Sequence, residues 1–128
     1  MSRPKRILQW LLAVFMTAAG IGHFVRPALY VALIPPFLPA PELLVYASGV
    51  AETACGILLM VPRTRRWAAW GLVATLIAIY PANIYHAASG GLSSPDLPPA
   101  FANGTLAIIR LPFQFVFLAW AWWYTRKD

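Results

Sequence analysis

The stretch WAAWGLVATLIAIYPANIYHAA, Trp67 to Ala88, runs for a full twenty-two residues without a single Asp, Glu, Lys or Arg. At about 1.5 Å of rise per helical residue, that length covers the roughly 30 Å hydrocarbon core of a bilayer. A helix on the surface of a soluble domain carries a charged stripe, and this one has none. Working outward, three more apolar segments appear between charged or Pro/Gly-rich punctuation: Ile7 to Val25, Glu42 to Val61 and Thr105 to Tyr124. Spanning strands need short alternating segments, which the chain lacks, and helices satisfy their own backbone in lipid. The expectation is an all-α integral membrane protein: one domain over residues 1–128, folded as an antiparallel four-helix transmembrane bundle.

Composition agrees. The chain has 128 residues, 60% of them hydrophobic and only 11% charged, whereas a soluble domain carries about a quarter charged residues. Six Trp, five Tyr and seven Phe suit helix ends at the membrane interface. The net charge of +6 would suggest nucleic acid in a soluble protein, but the bases have a different pattern. Arg3, Lys5 and Arg6 precede the first segment, Arg63, Arg65 and Arg66 fill the turn between the second and third, and Arg126 and Lys127 follow the fourth. Eight of the ten bases thus fall on one side, which by the positive-inside rule puts both termini in the cytoplasm. The neighbours expected for these bases are anionic headgroups of the lipid bilayer, and no nucleic acid. A cleavable signal peptide is the competing reading of the amino end, but the apolar run continues past Ala18, Ala19 and Gly20 to Val25.

The two outer connections differ from the short basic turn. Ala28 to Ile34 has room for one or two helical turns, and the run Pro35-Pro36-Phe37-Leu38-Pro39-Ala40-Pro41 reads as a stiff lid of extended backbone. Ser89 to Gly104 reads as a flexible loop because of Gly90-Gly91, Pro95 and Pro98-Pro99.

Polar side chains within a membrane are expensive and belong in the bundle interior. Seven stand out: His23, Glu52, Tyr80, Asn83, His86, Arg110 and Gln114. By helical rise all lie at the midplane or in the outer half, where they can converge on one pocket. Arg110 and Gln114 share a face at i,i+4, as do Tyr80 and Asn83 at i,i+3. Small residues around Glu52, from Ala47 to Gly56, let helices approach closely. Pro81 and Pro112 are expected to kink their helices and free the carbonyls of Ile77 and Ile108. The same residues also admit a purely structural account, in which Glu52 and Arg110 form a buried ion pair that fixes register. His23 and His86 are a conceivable haem pair, but no other feature signals that cofactor. Cys55 is alone, which excludes an internal disulfide, and no zinc pattern exists.

Gly22-His23-Phe24 with Arg26-Pro27, Pro35-Pro36, Ser48-Gly49-Val50-Ala51-Glu52, Pro62-Arg63-Thr64-Arg65-Arg66, Pro81-Ala82-Asn83-Ile84-Tyr85 and Arg110-Leu111-Pro112-Phe113-Gln114 together resemble the DoxX-like membrane proteins of bacteria. The resemblance covers nearly the whole chain and implies four helices in the bacterial plasma membrane. Relatives are associated with quinol- and thiosulfate-linked oxidation and with oxidative stress, and a eukaryotic branch includes an assembly chaperone. With the polar cluster, the expectation is a redox- or respiration-associated subunit that binds a quinone-like or similarly amphipathic small molecule from the outer leaflet: His23 and His86 face ring oxygens, Arg110 stabilises an anion and Glu52 accepts a proton. Electron transfer would need a cofactor that the chain does not obviously hold, which weighs against an independent enzyme. Set against this are an assembly partner for another membrane or redox protein, and a small-solute carrier, which would need a homodimer. Lacking a cysteine pair, the chain departs from the thiol-redox relatives.

Overall fold

The computed structural model describes residues 1–126, so Lys127 and Asp128 of the basic carboxyl end lie outside the described residues. The chain is helical, with no strand among the described residues: α1 (Arg3–Val25), α2 (Pro27–Val31), α3 (Pro41–Leu58), α4 (Arg65–Ala88), a 3-10 turn (Pro99–Ala102) and α5 (Gly104–Trp123). Three helices, α1, α4 and α5, are long and apolar enough to cross a membrane. The eighteen residues of α3 include both Glu42 and Glu52, and α3 is not among the three.

Local chemistry sets the helix ends. The Ser2 hydroxyl accepts from the Lys5 amide at 3.3 Å and caps α1, with a proline in its first turn. Asn103 Oδ1 accepts from the Leu106 amide at 3.1 Å and caps α5. Each cap fills one of the orphan donors of a first turn. Beyond Leu58 the backbone tightens into i−3 bonds, Met60 to Ile57 and Val61 to Leu58, because Pro62 disfavours continuing the helix. Both Pro81 and Pro112 sit inside helices that continue through them.

The proline-rich connection is not the extended lid expected from its composition. Leu38 N–H donates to Pro35 O at 3.1 Å, which makes residues 35–38 a turn. Pro36 supplies the fixed φ that the second position of a turn requires. Ala40 then takes a left-handed φ of 50° just before α3 begins at Pro41. The long loop after α4 is also more closed than its glycines suggest. Gly90 and Gly91 adopt φ of 72° and 106°, and Leu92 N–H reaches back to Phe101 O at 2.8 Å. Only glycine adopts those angles without a steric cost.

α1 packs on α3, α3 on α4, and α4 on α5. α1 and α5 meet through the stacked rings of Phe15 and Phe117, 4.9 Å apart. The apolar core, built on Leu12, Met16, Leu59, Leu72, Leu76, Ala121 and Tyr124, fills the half of the molecule near the chain termini. The polar residues singled out by sequence lie in the other half.

Candidate functional site

The α1–α3 seam holds the first polar group. Gly20, Gly49 and Gly56 allow close approach: a Cβ at Gly49 would stand 2.7 Å from that of His23, and one at Gly56 would stand 2.8 Å from the Thr17 amide. In this seam His23 and Glu52 are each only 6% exposed. His23 Nδ1 lies 2.9 Å from Val45 O and 3.0 Å from Ser48 Oγ, and Nε2 lies 3.3 Å from Glu52 Oε2. A carbonyl only accepts, so Nδ1 carries a hydrogen. A carboxylate facing a bare Nε2 would oppose lone pair to lone pair, so the pair needs one further proton, on the imidazole or on the carboxyl. The contact is an ion pair by distance but lacks hydrogen-bond geometry, and Glu52 Oε2 is buried without a hydrogen-bond partner. The ring of Tyr30, from α2, covers His23 at 4.1 Å between centroids.

The α4–α5 seam holds the second. Arg110 donates through one terminal nitrogen to Asn83 Oδ1 at 3.1 Å and approaches His86 Nδ1 with the other at 3.2 Å. His86 Nε2 lies 2.7 Å from Phe101 O, which again can only accept. The imidazole is therefore hydrogen-bonded as its Nε2–H tautomer, leaving the Nδ1 lone pair to receive Arg110. The guanidinium also lies over the Phe101 ring, 5.6 Å from its centroid. Both of its side-chain acceptors are neutral, and no carboxylate among the described residues pairs with it. Of its five N–H donors, two are used in these contacts.

One helical turn from this group, an apolar crevice of about 290 Å³ opens between α4 and α5. Leu76, Ile77, Pro81, Phe115 and Leu118 line it, together with Tyr80 and Gln114. Tyr80 and Gln114 are the side chains one turn from Asn83 and Arg110 on their respective helices. Arg110 itself lies one helical turn beyond the crevice and is not part of its lining, and the surface that Tyr80 and Gln114 present to the crevice is apolar. The volume is at the small end of the range for ligand pockets.

The seven residues singled out by sequence thus fall into two groups on separate seams. His23 and Glu52 meet across α1 and α3, while Asn83, His86 and Arg110 meet across α4 and α5, beside Tyr80 and Gln114. The Glu52–Arg110 ion pair of the structural account does not form, because each has its partner on the helix beside it. A haem axial pair does not fit either, since all four ring nitrogens of His23 and His86 are already engaged. Among the described residues no group of three His, Cys, Asp or Glu is placed to hold a metal. Sequence reasoning gave no role to Tyr30 or to the carbonyls of Val45 and Phe101. Ser48 was visible only as part of a motif. Backbone acceptors carry no residue signature, so only the fold could find them.

The helices and these two sites describe a helical protein with three spans apolar enough for a membrane. A family model, Domain of unknown function (DUF8561), matches residues 12–125, and the chain belongs to that family. No curated protein and no solved structure matches it.

Proposed function

We propose that this chain is a DoxX-like protein of the bacterial plasma membrane, a four-helix transmembrane bundle with both termini in the cytoplasm, that binds a quinone-like or similarly amphipathic small molecule. In this reading α3 is the fourth span. At about 1.5 Å per residue its length approaches the hydrocarbon thickness, and the seam with α1 shields Glu52 from lipid. The observation that carries the binding role is Arg110, a cation held between neutral acceptors one helical turn from an apolar crevice. A ring or acyl chain fills the crevice, and a carbonyl or anionic head accepts from the unused guanidinium donors, with Gln114 and Tyr80 along the wall. Charge-assisted bonds of this kind contribute about 1.5–3 kcal/mol. Electron transfer needs a partner, so the chain acts as a subunit of a redox or respiratory assembly.

The test is native mass spectrometry of the whole protein extracted in gentle detergent, followed by titration with a short-chain quinone. Retained quinone, and an affinity that falls about tenfold or more in Arg110→Gln, are the expected results. No binding by the wild type would remove the reading. Topology is checked by single cysteines in a Cys55→Ser background: Ser94→Cys should label from outside, and Ser2→Cys and Thr64→Cys from the cytoplasm. One observation favours a second reading. Phe37, at the turn of the proline-rich connection, is 71% exposed and offers another membrane protein an aromatic anchor. A stoichiometric partner lost in Phe37→Ala would support it.

A further inference from the structure

At the end of the molecule where α1 begins, α3 gives way to α4 and α5 ends, there is a cavity of about 340 Å³. Its lining includes Lys5, Arg65, Arg66 and Arg126, with Pro62 and Tyr124 between them, and no acidic side chain among the described residues. The positive-inside rule accounts for these bases lying at one end of the molecule. It does not account for their convergence, from three parts of the chain more than fifty residues apart, on one half-open pocket.

Among the described residues, the three arginines are held by contacts to neutral groups. Arg65 donates to the Met1 sulfur at 3.6 Å, Arg66 Nε donates to Thr125 O at 3.1 Å, and Arg126 stacks over Trp122 at 4.4 Å. Each anchor fixes its guanidinium while most of the five N–H donors remain available. A planar fork of donors matches the oxygens of phosphate, and several forks around one space match a tetrahedral group better than a planar carboxylate. At about 30 Å³ per water, the cavity has room for about ten waters, enough for a phosphate group with its ester or hydration.

We propose that this cavity is a binding site for a phosphate group, and that Arg65, Arg66 and Arg126 are its ligands. The group comes either from the headgroup of an acidic phospholipid in the adjacent leaflet or from free phosphate. The site is independent of the crevice between α4 and α5.

The experiment uses the full chain, stripped of lipid in an uncharged detergent. Phosphatidylglycerol and phosphatidylcholine are titrated in turn and read by native mass spectrometry, and inorganic phosphate is titrated alone by calorimetry. Phosphatidylglycerol retained at least about tenfold better than phosphatidylcholine supports the site with lipid as the source. Saturable binding of inorganic phosphate without that preference supports the site with a soluble anion. Arg65→Gln should lower whichever signal is seen about tenfold. Arg63→Gln removes the same charge from the same turn but from outside the cavity lining, and should leave the signal unchanged. If Arg65→Gln fails to fold, Arg126→Gln takes its place. Neither anion binding, or an equal loss in Arg63→Gln, overturns the proposal.

Discussion

The α1–α3 seam is closed and the α4–α5 seam is open, although each has a histidine beside one ionisable side chain at its centre. Glycines set the first seam: Gly20, Gly49 and Gly56 bring the backbones together and leave His23 and Glu52 almost no solvent. The second leaves a crevice between α4 and α5, lined by Pro81, Phe115 and Leu118 and one helical turn from Arg110. The contrast shows two ways in which an apolar bundle can hold an ionisable side chain. One seals it against a histidine, and the other braces it with neutral acceptors and leaves room nearby.

The strongest way to break the contrast is to remove one member of the sealed pair. Glu52→Ala should destabilise the folded protein by about 3–5 kcal/mol, because a buried partner is left uncompensated. Replacing His23 and Glu52 together with Leu should recover most of that loss. Unfolding in mixed micelles measures both, and a Glu52→Ala protein as stable as wild type would show that the seam is not sealed.

A smaller change wedges the seam open. Gly49→Val places methyl groups against the His23 Cβ and the Gly20 carbonyl, an overpacking that costs about 1–3 kcal/mol. Its thermal midpoint in detergent should fall below that of Val50→Ala, a neighbouring change on a position 57% exposed.

The open seam should respond less in stability and more in binding. Asn83→Ala removes one acceptor from Arg110 and should cost roughly 1 kcal/mol of stability. Gln114→Leu should change stability by no more than about 0.5 kcal/mol, yet weaken quinone binding severalfold. If Gln114→Leu unfolds the protein, the crevice is part of the packed core and the two seams are alike.

Much of this fold is legible in the sequence because membrane helices announce themselves by what they lack. The apolar runs ending at Val25 and Ala88 coincide with the ends of α1 and α4, and Thr105 to Tyr124 is within one residue of α5 at either end. The second run extends to Val61, past the end of α3 at Leu58, because hydropathy does not register the tightening before Pro62. Helical rise assigns each polar residue a layer, at the midplane or in the outer half, but it does not assign pairing. A position along a helix gives a layer, whereas the identity of a partner depends on which helices are neighbours and how each is rotated. That is why Glu52 and Arg110, the two opposite charges, looked like natural partners while the structure gives Glu52 to His23. The proline run misled for a related reason, since Pro fixes φ equally well in extended chain and at the second position of a turn.

The hydroxyl of Tyr124 donates to the carbonyl of Lys5 at 2.7 Å, across 119 positions of sequence. During synthesis, at about 5–20 residues per second, the amino end of α1 waits roughly 6–24 s before the tyrosine that closes it has been made. Once α3 has been made, the first helix rests beside it with its other flank unclaimed until then. Ribosome stalling or early termination between Leu58 and Tyr124 therefore yields a chain whose first helix is present but unlatched, open to quality-control proteases and to other nascent helices.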